Sequence, residues 1–216
     1  MAVLMRSPLY AIADTVGRPG VQYDLLVQSL CVGGASLVQL RAKGESSQEF
    51  LRIASEVKRI CSNHGVTLII NDRLDICLAT NAEGVHLGQE DLPIKVARKL
   101  LGDRKVIGVS THNAEQARLA EEEGADYVGF GPLFPTTTKQ TGYSPRGLEN
   151  LRQVRSRIKI PIVAIGGITL ARAPATLRAG ANAVAMISEI ATAADPESQV
   201  RFILSSLKGQ GIHSSG

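Results

Sequence analysis

The chain has 216 residues, of which 44% are hydrophobic and 20% are charged, and it contains no tryptophan. This is ample for one well-buried globular domain. The formal net charge is +4, but Lys and Arg are scattered and only 4% of residues are aromatic. This pattern argues against nucleic acid as a partner and favours small anionic substrates.

The first ten residues are interrupted by Arg6 and Pro8 before any apolar run reaches the length of a signal-peptide core. No later apolar run approaches about 18 residues, so the sequence predicts a cytoplasmic protein that does not bind a membrane. Cys31, Cys61 and Cys77 form no C-x-x-C pair, which argues against a disulfide framework and a thiolate zinc site. We expect all three to be small buried residues on helices.

Apolar runs of strand length alternate eight times with segments of helical period. The predicted strands are Leu9 to Asp14, Leu37 to Lys43, Thr67 to Asp72, Gly84 to Gly88, Lys105 to Thr111, Tyr127 to Phe134, Pro161 to Ile168, and Ala183 to Ser188. Eight β-then-α units predict an α/β fold, a (β/α)8 barrel forming a single domain over residues 1–207. Residues 208–216 are rich in Gly and Ser and are expected to be disordered.

Local signals support the helices between these strands. Ser46 and Glu49 form a capping box before one helical segment, and Asn113 with Gln116 begins another. The helix-to-strand joints at residues 33–38, 124–128 and 180–184 also resemble one another. Each begins with Gly, which is typical of a helix C-cap in a repeated αβ unit.

In such a barrel, the chemistry lies at the carboxyl ends of the strands. Alternation of side chains puts three polar residues of the second strand on one face, while the aliphatic ones suit the surrounding helices. The polar residues are Gln39, Arg41 and Lys43. Two cations in the barrel mouth favour an anion site, since unpaired buried charges are costly. Alternatively, both cations reach water or pair with a local acid such as Glu45.

The third and fourth strands are each followed by an acidic residue. Asp72 and Asp91 would therefore lie at the same end of the sheet, where they could share a Mg²⁺ ion. The alternative is helix capping, because Asp after a strand often begins the next helix.

The fifth strand carries Gly108 and Ser110 on one face, which offers a ligand both space and a hydroxyl donor. Ser110 could equally be a cap before Asn113. Residues 132–147 form a connection longer than the usual 2 to 6 residues, which predicts a lid carrying three threonines and Lys139. A disordered tether is the alternative.

The seventh strand ends in Gly166-Gly167, where glycine lets a phosphate approach backbone N–H groups, although tight turns use such pairs equally. His86 and His112 are each isolated in the sequence, so supporting roles are favoured over acid-base catalysis.

Six ordered motifs occur at six strand ends: V-Q-L-R-A-K, I-I-N-D-R, G-V-H-L-G-Q-E-D-L, G-V-S-T-H, G-P-L-F-P-T-T-T-K and A-I-G-G-I. With them the chain resembles the thiamine-phosphate synthase family from Tyr10 to about Ser188. The resemblance implies a TIM barrel that joins a hydroxymethylpyrimidine diphosphate to a thiazole phosphate, with release of pyrophosphate and a requirement for Mg²⁺.

The resemblance also implies roles for matching residues. Those expected to hold the pyrimidine diphosphate are Gln39, Leu40, Arg41, Ala42, Lys43 and Asn71. Asp72 and Asp91 would hold Mg²⁺. Those expected to contact the pyrimidine substrate or its departing pyrophosphate are Ser110 and Lys139. Those expected to line the thiazole phosphate site are Thr136, Thr137, Thr138, Gly167, Ile187 and Ser188. The catalytic residues would be Arg41, Lys43, Ser110 and Lys139.

Two other functions stay open at this stage. A thiazole tautomerase would share the fold and the thiazole phosphate site, but the set of Arg41, Lys43, Asp72 and Asp91 argues against it. A non-catalytic sensor of a phosphate ligand is a second alternative. The sequence leaves open a homo-oligomer and a carboxylated thiazole substrate.

Overall fold

A computed structural model describes residues 7–15, 22–136 and 142–208. Eight parallel strands close into a barrel in the order β1 to β8. The strands are β1 Leu9–Asp14, β2 Leu37–Arg41, β3 Thr67–Asn71, β4 Gly84–Leu87, β5 Val106–Thr111, β6 Tyr127–Phe130, β7 Ile162–Ala164 and β8 Ala183–Met186. The predicted (β/α)8 barrel is confirmed.

Helices follow the strands and surround the barrel. They are α1 Tyr23–Val32, α2 Ser47–His64, α3 Leu74–Thr80, α4 Ile94–Leu101, α5 Ala114–Glu122, α6 Gly147–Arg157, α7 Ala173–Arg178, α8 Ser188–Ala191 and α9 Pro196–Lys208. Lys208, predicted to begin the tail, is instead the last residue of α9, and residues 209–216 lie outside the described chain. None of the helices in the described ranges has the length and apolar character needed to cross a membrane.

The N-cap half of both predicted capping boxes is present. The backbone N–H of Glu49 donates to the Ser46 hydroxyl at 3.2 Å, and that of Gln116 donates to Asn113 Oδ1 at 2.8 Å. The three cysteines are buried on α1, α2 and α3, as predicted.

The core has two layers because strand side chains alternate between the inside of the barrel and its helix-covered outside. The larger layer lies between strands and helices and includes Val38, Leu40 and Ala42. The smaller layer fills the barrel itself with Tyr10 and Tyr127 among its largest members.

Several strands end earlier than predicted, by two residues in β2 and β8 and by four in β6 and β7, and β7 also begins one residue later. β6 ends at Phe130, just before Gly131-Pro132, where proline has no N–H to donate to a ladder. β7 ends at Ala164, shortly before Gly166 and Gly167, which have φ of +95° and +60°. The residues beyond both strands are therefore released into loops at the barrel mouth.

At the opposite, amino-terminal end of the barrel, one type of contact recurs between strands and helices. Asp126, directly before β6, accepts a hydrogen bond from the Ile107 N–H of β5 at 2.8 Å. Arg98 of α4 donates to the same carboxylate oxygen at 2.6 Å. The side chain thus satisfies a backbone donor at the beginning of one strand and links it to a helix.

The same arrangement occurs before β4 and β8. Glu83 accepts from the Leu68 N–H of β3 at 3.0 Å and pairs with Lys58 of α2. Asn182 accepts from the Ile162 N–H of β7 at 2.9 Å and from Arg155 of α6 at 3.2 Å. The similarity of the helix-to-strand joints in the sequence therefore has a structural reason at residues 126 and 182.

We expect Asp126→Ala to destabilise the fold by about 2 kcal/mol, because it removes the acceptor of a part-buried backbone N–H and the partner of Arg98. Glu149→Ala is the matched control, since its pair with Arg152 is exposed and should contribute less than about 0.5 kcal/mol. Urea unfolding of both variants measures the difference. Equal losses would contradict a special role for the joint.

Candidate active site

A pocket opens at the carboxyl ends of the strands and collects most of the predicted site residues that the structure describes. The predicted residues that line it are Gln39, Arg41, Asn71, Asp72, Ser110, Thr136, Gly167, Ile187 and Ser188. They come from both sides of the barrel, although the sequence separates the first from the last by more than half the chain. This supports a shared site at the barrel mouth.

Other predicted residues are placed differently. Leu40 and Ala42 lie in the layer between strands and helices, so only their backbone can face a ligand. Lys43 is half-exposed beyond the end of β2. Asp91 lies beside the pocket residue Gly88 and accepts its N–H at 2.6 Å. Thr137, Thr138 and Lys139 lie outside the described residues.

Arg41 already has a partner that was not predicted from the sequence. Its guanidinium forms an ion pair with Asp14, the last residue of β1, whose side chain is only 1% exposed. The register of the sheet places Asp14 directly beside Arg41. A bound anion was expected to balance the charge of Arg41. The buried carboxylate of Asp14 already does so and holds the guanidinium in the barrel mouth. A polar residue ending a strand was the available signal.

Lys43 also has an acidic neighbour. Its ammonium lies 3.2 Å from Asp72, at the end of β3. Asp72 has a φ of +63° in the left-handed region, and its N–H donates to the His86 carbonyl at 2.8 Å. Such a backbone conformation is uncommon outside glycine, although Asp tolerates it better than most residues. The sequence places a carboxylate at the mouth at the cost of local strain.

The two predicted metal ligands influence each other. Burial raises the pKa of the Asp91 carboxyl, the N–H of Gly88 opposes the rise, and the negative charge and hydrogen bond of Asp72 add to it. Two carboxylates within interaction distance repel each other, and a hard divalent cation would relieve that repulsion. The oxygen donors at this position therefore fit Mg²⁺.

A continuous line of hydrogen-bonded side chains crosses the inside of the barrel, and all of its members except Tyr127 line the pocket. Gln39 Nε2 donates to the Tyr10 hydroxyl at 3.0 Å, and that hydroxyl lies 2.8 Å from the hydroxyl of Tyr127. Tyr127 in turn lies 2.9 Å from His86 Nδ1, and His86 Nε2 lies 2.9 Å from the Ser110 hydroxyl. The line joins five strands and connects two predicted substrate contacts.

Glycines make room for this line. A Cβ at Gly108 would overlap the ring of Tyr127, and one at Gly129 would lie 3.0 Å from the imidazole of His86. The space at Gly108 that was predicted for a ligand is instead occupied by the buried ring of Tyr127. Tyr10 and Tyr127 were not predicted as site residues, because a buried tyrosine is usually part of the hydrophobic core.

On the opposite side of the mouth, the turn after β7 packs against the loop after β6. The Phe134 N–H donates to the Gly166 carbonyl at 3.0 Å. A Cβ at Gly167 would overlap the Pro135 carbonyl, so glycine is required there by the neighbouring loop as well as by its φ of +60°. Arg172 donates to the Gly167 carbonyl at 2.6 Å and covers the Phe134 ring.

His112, directly after β5, contacts the loop that follows β6. Its Nδ1 lies 2.6 Å from the Gly131 carbonyl, and its ring stacks on Tyr143 with centroids 3.8 Å apart. The Arg146 guanidinium lies over the Tyr143 ring, 5.1 Å from its centroid. This histidine supports the loop through its contacts, which agrees with the supporting role favoured by the sequence.

Comparisons with known proteins give the site its context. A family model described as thiamine monophosphate synthase (TMP-TENI) matches residues 9–190. The thiamine-phosphate synthase of Chloroflexus aurantiacus is 43% identical over 89% of this chain and 89% of its own length. That of Moorella thermoacetica is 45% identical over 89% and 92%.

Among solved structures, the thiamine phosphate pyrophosphorylase of Pyrococcus furiosus superimposes with a TM-score of 0.84 at 33% identity, covering 94% of this chain and 96% of that one. The match thus extends over the whole barrel, including the strand ends that form the pocket. This chain belongs to the thiamine-phosphate synthase family.

Proposed function

We propose that this chain is a thiamine-phosphate synthase that joins 4-amino-2-methyl-5-hydroxymethylpyrimidine diphosphate to a thiazole phosphate and releases pyrophosphate. The observation that carries the proposal is the convergence of Arg41, Lys43, Asp72 and Asp91 at one side of the mouth. A diphosphate and a divalent cation together match this mixture of charges.

The metal would be held by Asp72 and Asp91. When bound, Mg²⁺ supplies positive charge to the diphosphate oxygens. The resident ion pair of Lys43 with Asp72 keeps an ammonium at the same place, where it can hold the diphosphate. Arg41 presents a guanidinium already oriented by Asp14. We assign these two cations to the negative charge that grows on the departing pyrophosphate.

The reaction needs no protein nucleophile and no strong base. The C–O bond to the diphosphate breaks while the electron-rich aminopyrimidine stabilises the cationic methylene carbon, and the thiazole nitrogen then donates its electron pair to that carbon. The protein binds both substrates in line and stabilises charge. Ser110 offers a hydroxyl to the pyrimidine side, and Lys139 is proposed to act there too.

The pyrimidine diphosphate would occupy the side formed by β2 to β5, with Gln39, the backbone of Leu40 and Ala42, and Asn71 as its other contacts. The thiazole phosphate would occupy the side formed by Thr136, Thr137, Thr138, Gly167, Ile187 and Ser188. The closely packed turn at Gly167 supports this assignment, since it leaves backbone near the pocket. The proposed setting is the cytoplasm, with small molecules as substrates.

Pyrophosphate release tests the proposal. With both substrates and Mg²⁺ we expect release together with thiamine phosphate, and omission of either substrate should abolish product formation. A chelator should stop the reaction, and added Mg²⁺ should restore it. Absence of product with both substrates and Mg²⁺ would contradict the assignment and favour a binding protein.

The two sides of the pocket can be tested separately with Thr136→Val, which keeps the side-chain shape and removes the hydroxyl at the pocket wall. We expect affinity for the thiazole phosphate to fall by about tenfold, or 1.4 kcal/mol, and affinity for the pyrimidine diphosphate to change little. Calorimetric titration of each ligand measures this. Gly167→Val would be a poorer test, because its side chain would strike the Pro135 backbone.

A loss confined to the pyrimidine diphosphate would show that the two sides are assigned in reverse. Ligand-free circular dichroism of Thr136→Val provides the control for folding.

A further inference from the structure

The line of hydrogen-bonded side chains from Gln39 to Ser110 has a direction that follows from one of its members. Gln39 Nε2 can only donate, so the proton of the Tyr10 hydroxyl must point to its other partner, Tyr127. Tyr127 accepts that proton and points its own to His86 Nδ1. Burial raises the pKa of both phenols, so each keeps the proton that this direction requires.

The same direction sets the state of the imidazole. Because Nδ1 of His86 accepts from Tyr127, the ring nitrogen that carries the proton in the neutral form is Nε2, which donates to the Ser110 oxygen. The Ser110 hydroxyl therefore accepts a hydrogen bond from His86 and does not use its own proton in this contact. That proton is available to an acceptor in the pocket, which Ser110 lines.

We propose that Tyr127 is a positioning residue, which links Gln39 and Tyr10 to His86 and thereby holds Ser110 as a hydrogen-bond donor toward the pyrimidine substrate. Tyr127 is fully buried and does not line the pocket, so it acts through its neighbours. Four hydrogen bonds connect Gln39 to Ser110, and the direction of the first fixes the direction of the other three. This inference deepens the proposed function, but the direction of the line does not depend on it.

The decisive substitution is Gln39→Glu, because an ionised carboxylate can only accept. Tyr10 would then donate to the new carboxylate, Tyr127 to Tyr10, and His86 Nδ1–H to Tyr127. The imidazole proton is thereby moved from Nε2 to Nδ1 at the far end of the line. In Gln39→Glu combined with Tyr127→Phe, the connection is cut, and the new carboxylate can no longer move the imidazole proton.

Nitrogen-15 NMR of histidine-labelled, ligand-free protein at mildly alkaline pH reads the tautomer directly, with His86→Gln identifying the signals. We expect Nε2–H in the wild type and Nδ1–H in Gln39→Glu, whereas the double variant should show the same tautomer as Tyr127→Phe alone. Nδ1–H in the wild type would overturn the proposal whether or not the variants fold. An unchanged tautomer in folded Gln39→Glu, with infrared spectroscopy showing the introduced carboxyl to be ionised, would also overturn it.

Turnover gives a second, separate readout. Tyr127→Phe should lower kcat by about tenfold with little change in KM, and adding it to Ser110→Ala should cause no further loss. Additive losses would mean that Tyr127 does not act through Ser110. If neither the wild type nor any variant releases pyrophosphate, the proposed function is wrong. The NMR result still decides the direction of the line in that case.

Discussion

Asp91→Asn should lower turnover by about a hundredfold or more in the presence of Mg²⁺, and Asp72→Asn should do the same. Losing one of two carboxylates at the proposed metal position removes about 3 kcal/mol of charge stabilisation in the transition state. The amide of Asn can still accept the Gly88 N–H, so the loop geometry is retained. Initial rates of pyrophosphate release, measured over a range of Mg²⁺ concentrations, provide the test.

Glu90→Gln is the matched control, because this exposed carboxylate is the immediate neighbour of Asp91. It should keep wild-type turnover. Full activity of Asp91→Asn, or full wild-type activity in a chelator, would count against the metal assignment.

The raised pKa of Asp91 adds a prediction about stability in the absence of divalent cations. The pKa of Asp91 is higher in the folded state than in the unfolded state. The wild type therefore loses stability as the pH rises from the unfolded-state pKa through the folded-state pKa. Asp91→Asn removes that loss, so the variant should be at least as stable as the wild type at neutral pH, with the difference vanishing in acid. Mg²⁺ should raise the Tm of the wild type only. A larger Tm gain in the variant would contradict this.

Arg41→Met should abolish most activity and also destabilise the protein. The guanidinium is the proposed clamp on the diphosphate, so turnover should fall by about a hundredfold or more. Without it the Asp14 carboxylate is left buried with its charge uncompensated by Arg41, which should cost about 3 kcal/mol of stability. Kinetics and urea unfolding measure the two effects.

The double variant Arg41→Met, Asp14→Asn separates structure from chemistry. Removing the buried charge should restore most of the stability, whereas the missing cation should keep turnover low. Recovery of turnover together with stability would show that Arg41 has only a structural role.

Much of the barrel could be predicted because its signals are local. Strand and helix periods, the capping boxes at Ser46 and Asn113, and glycines at helix ends depend on neighbouring residues. Strand ends were less well predicted, since β6 and β7 stop early where Pro132 and Gly166 interrupt the ladder. In both segments the apolar run in the sequence continues beyond the last residue that belongs to the sheet.

For the site, chain position predicted which side chains would meet but not how they would be paired. Asp72 and Asp91 follow adjacent strands, so a parallel sheet brings them together. The nearest acid to Arg41 in the sequence is Glu45, yet its partner is Asp14, because the register of β1 and β2 decides the neighbour.

The sequence by itself determined the alternation of eight strands with helices, the polar residues at the strand ends and the resemblance to the thiamine-phosphate synthase family. Only the tertiary structure decided the ion pair of Arg41 with Asp14 and the line from Gln39 through Tyr10 and Tyr127. Tyr10 and Tyr127 are 117 positions apart, and their hydroxyls meet across the barrel interior. Closure of the barrel and the stagger of its strands set such contacts, and neither is encoded within a short stretch of chain.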